Sequence, residues 1–288
     1  MSRVVNAMTI DVEDYFHVSA FDGVVDRGSW DQLESRVCRN TDRLLSMFDA
    51  HGVKATFFVL GWVAERFPTL ISRIVTMGHE LASHGYGHRL VYQQTAEGFR
   101  DDVRRAKDLL ERVGGQQVDG YRAPSYSITN ESLWALDVLV NEGYKYDASI
   151  FPIRHDRYGI PESPRHPHVL SRAAGALVEV PGSTIRLSGI NLPIAGGAYF
   201  RILPYAWTNW GLKRLNVQER KPAIFYLHPW EIDPAQPRFD AGWLSCFRHY
   251  RNLDKTEARL QQLLRDFTFA PLRSVLASSM PSGAVAQA

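Results

Sequence analysis

Residues 4–14 read VVNAMTIDVED, an apolar run of β type that breaks off in three carboxylates. The part Val4–Asp11 has the composition of a buried strand, and working outward from it strand-like and helix-like segments alternate. Arg39–Ala50 sets Leu44, Leu45 and Phe48 on one helix face and is stopped by Gly52. Lys54–Leu60 (KATFFVL) reads as the next buried strand, Pro68–Met77 as a helix stopped by Gly78, and His79–Ser83 as a short strand. Ala96–Val113 is a charged amphipathic helix ending at Gly114-Gly115. Val118–Tyr121 is strand-like, Asn130–Asn141 is a helix with Asn130 as N-cap, and Tyr144–Ala148 is another strand. Regularity fails from Pro152 until Leu177–Val180, a stretch long enough to suggest a functional loop. Ala223–Leu227 and Lys255–Phe267 are the last clear strand and helix.

This order predicts an α/β fold with parallel strands and crossover helices, either barrel or open sheet. Asp11, His84, Arg122, Asp147 and His228 each fall just past the C-terminal end of a predicted strand. In a barrel those ends converge on one face, where such folds carry their chemistry. One domain over residues 1–277 is expected, with 278–288 as a flexible tail.

Composition narrows the class. The 288 residues are 45% hydrophobic and 22% charged, the balance of a globular chain, and the formal charge of +2 with no dense Lys/Arg run argues against nucleic acid. No run approaches the roughly 18 apolar residues of a membrane span. Cys38 and Cys246 stand far apart and outside any paired ligand motif. They fit a reducing compartment. The first residues carry no secretory pattern, so a cytoplasmic address is expected.

Four stretches could do chemistry. Asp11, Glu13 and Asp14 repel one another unless a cation or arginine is near. Alternation puts Asp11 and Glu13 on one side with Asp14 at the turn. His84 and His88, at i and i+4, share a face if the segment turns helically, and with a carboxylate they make the three-ligand set of a catalytic metal site. His79 reads as a packed structural residue. Arg122 can hold a carboxylate bidentately, and Pro124 can aim the Ser125 amide as an oxyanion donor. His228 suits proton delivery to a leaving amine, and Asp147 could orient it or cap a loop. Trp207, Trp210, Trp230 and Trp243 could stack on sugar rings or belong to the core.

In order, TIDVED (9–14), SHGYGH (83–88), YRAPSY (121–126), YDASIF (146–151) and YLHP (226–229) resemble the five motifs of the polysaccharide deacetylases, carbohydrate esterase family 4, which share the NodB homology domain. The flanks DYFHVSAF, SIFPIRHDRYGIP, PGSTIRLSGINLPIAGGAYFRILP and HPWEIDP are similar to a subgroup associated with exopolysaccharide and exosortase gene clusters. The resemblance implies a distorted (β/α) barrel of about seven strands. It also implies Asp11 as general base, His84 and His88 as metal ligands, Arg122 as the residue positioning the base, His228 as general acid and Asp147 as its support. Most relatives have two adjacent aspartates in the first motif. Here Val12 intervenes, and the third ligand is either Glu13 or Asp14.

The expected activity is therefore metal-dependent removal of an N-acetyl group from an amino sugar, in a polysaccharide or its lipid-linked precursor, with Zn²⁺ as the metal. The alternatives are another C–N hydrolase on the same scaffold (cyclic amide or formyl group), its choice set by the loop after Pro152 and the residues around Gly196-Gly197, and a non-catalytic carbohydrate-binding homologue. The sequence does not fix the oligomeric state.

Overall fold

The computed structural model of the chain describes residues 4–280. Eleven strands are present in it: β1 Val5–Val12, β2 Thr56–Val59, β3 Glu80–Ser83, β4 Gly120–Tyr121, β5 Tyr146–Asp147, β6 His168–Arg172, β7 Gly175–Glu179, β8 Thr184–Leu187, β9 Ile190–Pro193, β10 Ile224–Leu227 and β11 Thr268–Ala270. The main sheet runs β10-β1-β2-β3-β4-β5-β7-β6, with β11 paired to β1. From β10 to β7 every pair is parallel, which makes seven strands; β6 adds on antiparallel to β7. Between the two ends of that path Ser183 serves as a bridge, its hydroxyl accepting the Ile224 N–H at 2.7 Å. The result is the distorted barrel expected, closed on one side by side-chain contact instead of a ladder.

Strand alternation sorts the core into two populations. Ala7, Phe58, Ala82, Tyr146, Ala148, Val178 and Ile224 line the barrel interior, which Leu272, Val275 and Leu276 of the last helix, Leu272–Ser279, plug from below. The alternate residues Met8, Ile10, Phe57 and Leu81 face the surrounding helices Val37–Ala50, Pro68–Thr76 and Ala96–Gly114. Gly120 makes this possible at the tightest point, because a Cβ there would lie 2.0 Å from the Tyr146 ring.

Several boundaries differ from the sequence reading. Asn130 is not the N-cap of its helix. Thr129 takes that place in a capping box with Ser132, and the α-helix starts only at Trp134. The stretch after Pro152 holds β6, and residues 184–193 form a separate antiparallel hairpin. The last helix runs to Ser279, so the expected tail begins no earlier than Met280, and residues 281–288 lie outside the described residues. Among the described residues no helix is long and apolar enough to cross a membrane.

Candidate functional site

The inward-facing positions of β1, β3, β4 and β10 continue past the strand ends into a pocket of about 300 Å³. Ala7 and Ala82 lie in the lumen, so Asp11 and His84, further along the same faces, point inward, and Asp11 lines the pocket. Arg122 and His228 follow on β4 and β10. The Arg122 guanidinium is fully buried. Its Nη1 donates to Asp11 Oδ1 at 2.6 Å and Thr9 Oγ1 at 2.9 Å, its Nε donates to the Ala148 carbonyl, and it lies over the Phe58 ring at 4.2 Å. The second Asp11 oxygen faces His228, whose Nε2 is 3.8 Å away.

Beside Asp11, Glu13, His84 and His88 present ligand atoms within 4.8 Å of one another, all three side chains buried. The His84 Nδ1 is taken by the Arg122 carbonyl at 2.7 Å, which leaves Nε2 for the site. His88 Nε2 stands 2.7 Å from Glu13 Oε2 without hydrogen-bond geometry, and that oxygen is a buried atom with no donor. A carboxylate and two imidazoles that converge without satisfying one another suit a divalent cation, which explains the orphaned oxygen. Burial would raise the Glu13 pKa, but the imidazoles of His88, His228 and His84 outweigh it and hold the carboxyl well below its usual range. Burial pushes His84 down to about 4, so it is neutral, as a metal ligand must be.

The two histidines meet differently from expectation. The segment is not helical. A loop with Gly85 at φ +73° and His88 at φ +50° brings them together, with ring centroids 5.5 Å apart. Asp14, the other candidate ligand, turns away. Its carboxylate accepts from Ser35 Oγ and from the Arg36 and Val37 amides, at the N-terminus of the helix Val37–Ala50. Burial raises its pKa to about 6.

Asp147 does not reach His228. Tyr146 and Ala148 face the lumen, so Asp147 between them faces outward, where it pairs across to Glu179 and accepts from the Ser149 hydroxyl. The partner of His228 is Glu231, a residue the sequence reading passed over. Its Oε1 lies 2.7 Å from His228 Nδ1, and its Oε2 is bound by Arg201 Nε at 2.5 Å. Arg201 is itself buried, donating to the carbonyls of Arg248, His249 and Arg251. Trp230 is buried at the pocket, its Nε1 donating to Glu13 Oε1 at 3.1 Å. Trp207 donates to the Pro193 carbonyl, whereas Trp210 and Trp243 are exposed.

Ser125 lines the pocket at φ +53°, its hydroxyl 2.9 Å from that of Ser19. Tyr126, Tyr158, Tyr199 and Tyr226 supply apolar wall. Gly196 and Gly197 lie so close on Tyr226 that a Cβ would come within 2.2 Å and 2.5 Å of it, and both have positive φ.

Residues 25–146 match the polysaccharide deacetylase family model, and residues 148–277 match a domain of unknown function (DUF3473). The peptidoglycan-N-acetylglucosamine deacetylase of Bacillus cereus is 33% identical over 98 residues, 34% of this chain and 36% of that protein. The peptidoglycan deacetylase of Helicobacter pylori is 34% identical over 111 residues, 38% and 36% of the two. The chain thus spans about a third of the length of these curated relatives. In fold it is similar to the solved structure of a candidate polysaccharide deacetylase from Mycobacterium smegmatis, with TM-score 0.64 and 21% identity over 96% of this chain and 90% of that one. A second, from Pseudomonas aeruginosa PAO1, gives TM-score 0.62 and 16% identity over 97% and 93%. Residues 25–146 are thus similar in sequence to polysaccharide deacetylases, and the fold of the chain is similar to that of the two solved structures. The pocket draws on both matched regions, His88 and Ser125 from the first and Arg157, Tyr199 and His228 from the second, and on Asp11 and Glu13, which precede both.

Proposed function

We propose that the chain is a metal-dependent hydrolase that removes the acetyl group from the nitrogen of an amino sugar, in a polysaccharide or its lipid-linked precursor. The observation that carries this reading is the pairing of a carboxylate locked by an arginine (Asp11) with an imidazole locked by a carboxylate (His228–Glu231), facing each other beside a three-donor set. Glu13, His84 and His88 would hold the cation, zinc by the chemistry of the donors, and it would supply a Lewis acid that lowers the pKa of water towards about 7 and polarises the acyl oxygen.

The remaining steps belong to the chain's own residues. Asp11, oriented by Arg122, takes the proton of the attacking water. The Ser125 amide is the candidate donor to the acyl oxygen as it becomes negative. His228 gives its proton to the amine nitrogen as the C–N bond breaks, because an amide anion is too poor a leaving group. The Bacillus cereus and Helicobacter pylori relatives, both peptidoglycan deacetylases, support this chemistry. An exopolysaccharide setting is the one the flanking segments support.

Acetate release from N-acetylhexosamine oligomers tests the reading. Asp11→Asn is expected to lower turnover by about 10²–10⁴-fold with metal content intact, and His84→Ala to empty the site. Wild-type protein that holds zinc yet releases no acetate from any such oligomer would leave the reading without support.

A further inference from the structure

The helix Trp243–Tyr250 packs one side against the site and, among the described residues, leaves the other exposed. On the inner side His249 stacks on Trp230 at 4.1 Å, and the Arg248, His249 and Arg251 carbonyls grip Arg201. Ser245, Arg248 and His249 also line the pocket. The helix is therefore fixed in place, and its outer face is a rigid surface. That face consists of Trp243 (78% exposed), Leu244 (47%) and Phe247 (37%), with the two rings stacked at 5.7 Å and 20°. The next helix, Leu253–Asp266, exposes Asp254, Lys255, Gln262 and Arg265 instead, as a solvated face does.

Charge identifies the occupant. The loop 154–157 is joined to this helix by the Arg248–Asp156 contact at 3.7 Å. That loop and residues 237–251 together carry Arg154, Arg238, Arg248 and Arg251 against Asp156 and Asp240, while Arg157 turns to Ser19 in the pocket. The Arg251 guanidinium lies 5.9 Å from the Phe247 ring. Tryptophan, leucine and phenylalanine edged by arginines is the make-up of a surface that seats in the lipid–water interface, rings at headgroup level and guanidinium groups on anionic lipids. A second copy of the chain fits poorly, since a two-fold contact through this face would set arginine against arginine.

We infer that the Trp243–Tyr250 helix docks the chain on an anionic bilayer surface and holds the pocket mouth beside it. An acylated amino sugar carried on a lipid is the substrate such a seat would serve. That last clause rests on the deacetylase reading, whereas the docking does not.

The test is sedimentation of the full chain with vesicles of phosphatidylcholine containing about one-third phosphatidylglycerol, against phosphatidylcholine alone. The chain is expected to sediment with the anionic vesicles and to be released by salt. The double substitution Trp243→Ser with Phe247→Ser is expected to lower the bound fraction by about tenfold or more. Its thermal unfolding midpoint and its acetate release from a water-soluble oligomer should stay unchanged. The inference is overturned if wild-type chain stays in the supernatant, if the double variant binds equally well, or if light scattering shows a vesicle-free dimer that the substitutions dissociate. Acetate release without vesicle binding removes the docking and spares the deacetylase reading; binding without acetate release does the opposite.

Discussion

Glu231 Oε1 accepts both the His228 side chain, at 2.7 Å from Nδ1, and the His228 backbone N–H at 3.0 Å, so one carboxylate fixes the imidazole with Nε2 turned towards Asp11 and Glu13. Burial pushes the His228 pKa down, but the charges of Glu13, Glu231 and Asp11 outweigh it and raise it to about 9. Such a group is protonated through the neutral range, and a step that uses its proton fails as pH rises through that value. Glu231→Gln keeps the shape and removes one of the three charges. The alkaline limb of kcat against pH should move to lower pH, and kcat at neutral pH should fall by about a hundredfold. An unmoved alkaline limb would argue that Glu231 only packs.

The two acids of the first motif have separable jobs. Glu13 is part of the converging donor set, whereas Asp14 ties the start of the helix Val37–Ala50 through the Arg36 and Val37 amides. Glu13→Gln should abolish zinc binding, read by metal analysis after dialysis. Asp14→Asn should keep the metal and lose about 1 kcal/mol of stability, read by denaturant unfolding. The reverse pattern would transfer the ligand role to Asp14.

Much of this was legible in the sequence because strand alternation is a strong code. The apolar runs 4–11, 54–60 and 223–227 became β1, β2 and β10, and alternation from the lumen residues puts Asp11, His84, Arg122 and His228 on inward positions. The same code, applied to Tyr146-Asp147-Ala148, turns Asp147 away from the site, and motif order alone concealed that. Glu231 was missed because it follows the strand in a short 3-10 turn, Pro229–Ile232, where spacing does not announce a hydrogen bond. Arg201 was hidden by distance, since its partners come from residues 231 and 248–251. The hairpin 184–193 and the helix Gly197–Ile202 have short, mixed patterns that tertiary packing organises.

Arg201 is the keystone of the wall behind His228. Arg201→Met would leave the Glu231 carboxylate buried without its guanidinium and three carbonyls without donors, at a cost of about 3–5 kcal/mol in chemical unfolding. Adding Glu231→Gln to that variant should restore part of the loss, because a buried pair removed whole is cheaper than one charge left alone. If the double variant is no more stable than Arg201→Met, the two groups are not energetically coupled.

Asp147 and Glu179 give a pH signature separate from catalysis. They face each other across β5 and β7 in a fully buried position, with Ser149 donating to one and the Ile150 amide to the other. Burial raises Asp147 to about 6, and burial together with the Asp147 charge raises Glu179 well above its usual range. The folded chain thus holds protons that the unfolded chain releases, and this pair's stability contribution falls as pH rises from the unfolded values near 4 through the folded ones. Glu179→Gln copies the protonated acid and removes its share of that dependence. The variant should match the wild type at about pH 5 and exceed it by on the order of 1 kcal/mol at about pH 8, read as the difference in unfolding midpoints. A variant less stable at both pH values would mean that Glu179 is ionised in the folded chain and serves as an acceptor that glutamine cannot replace.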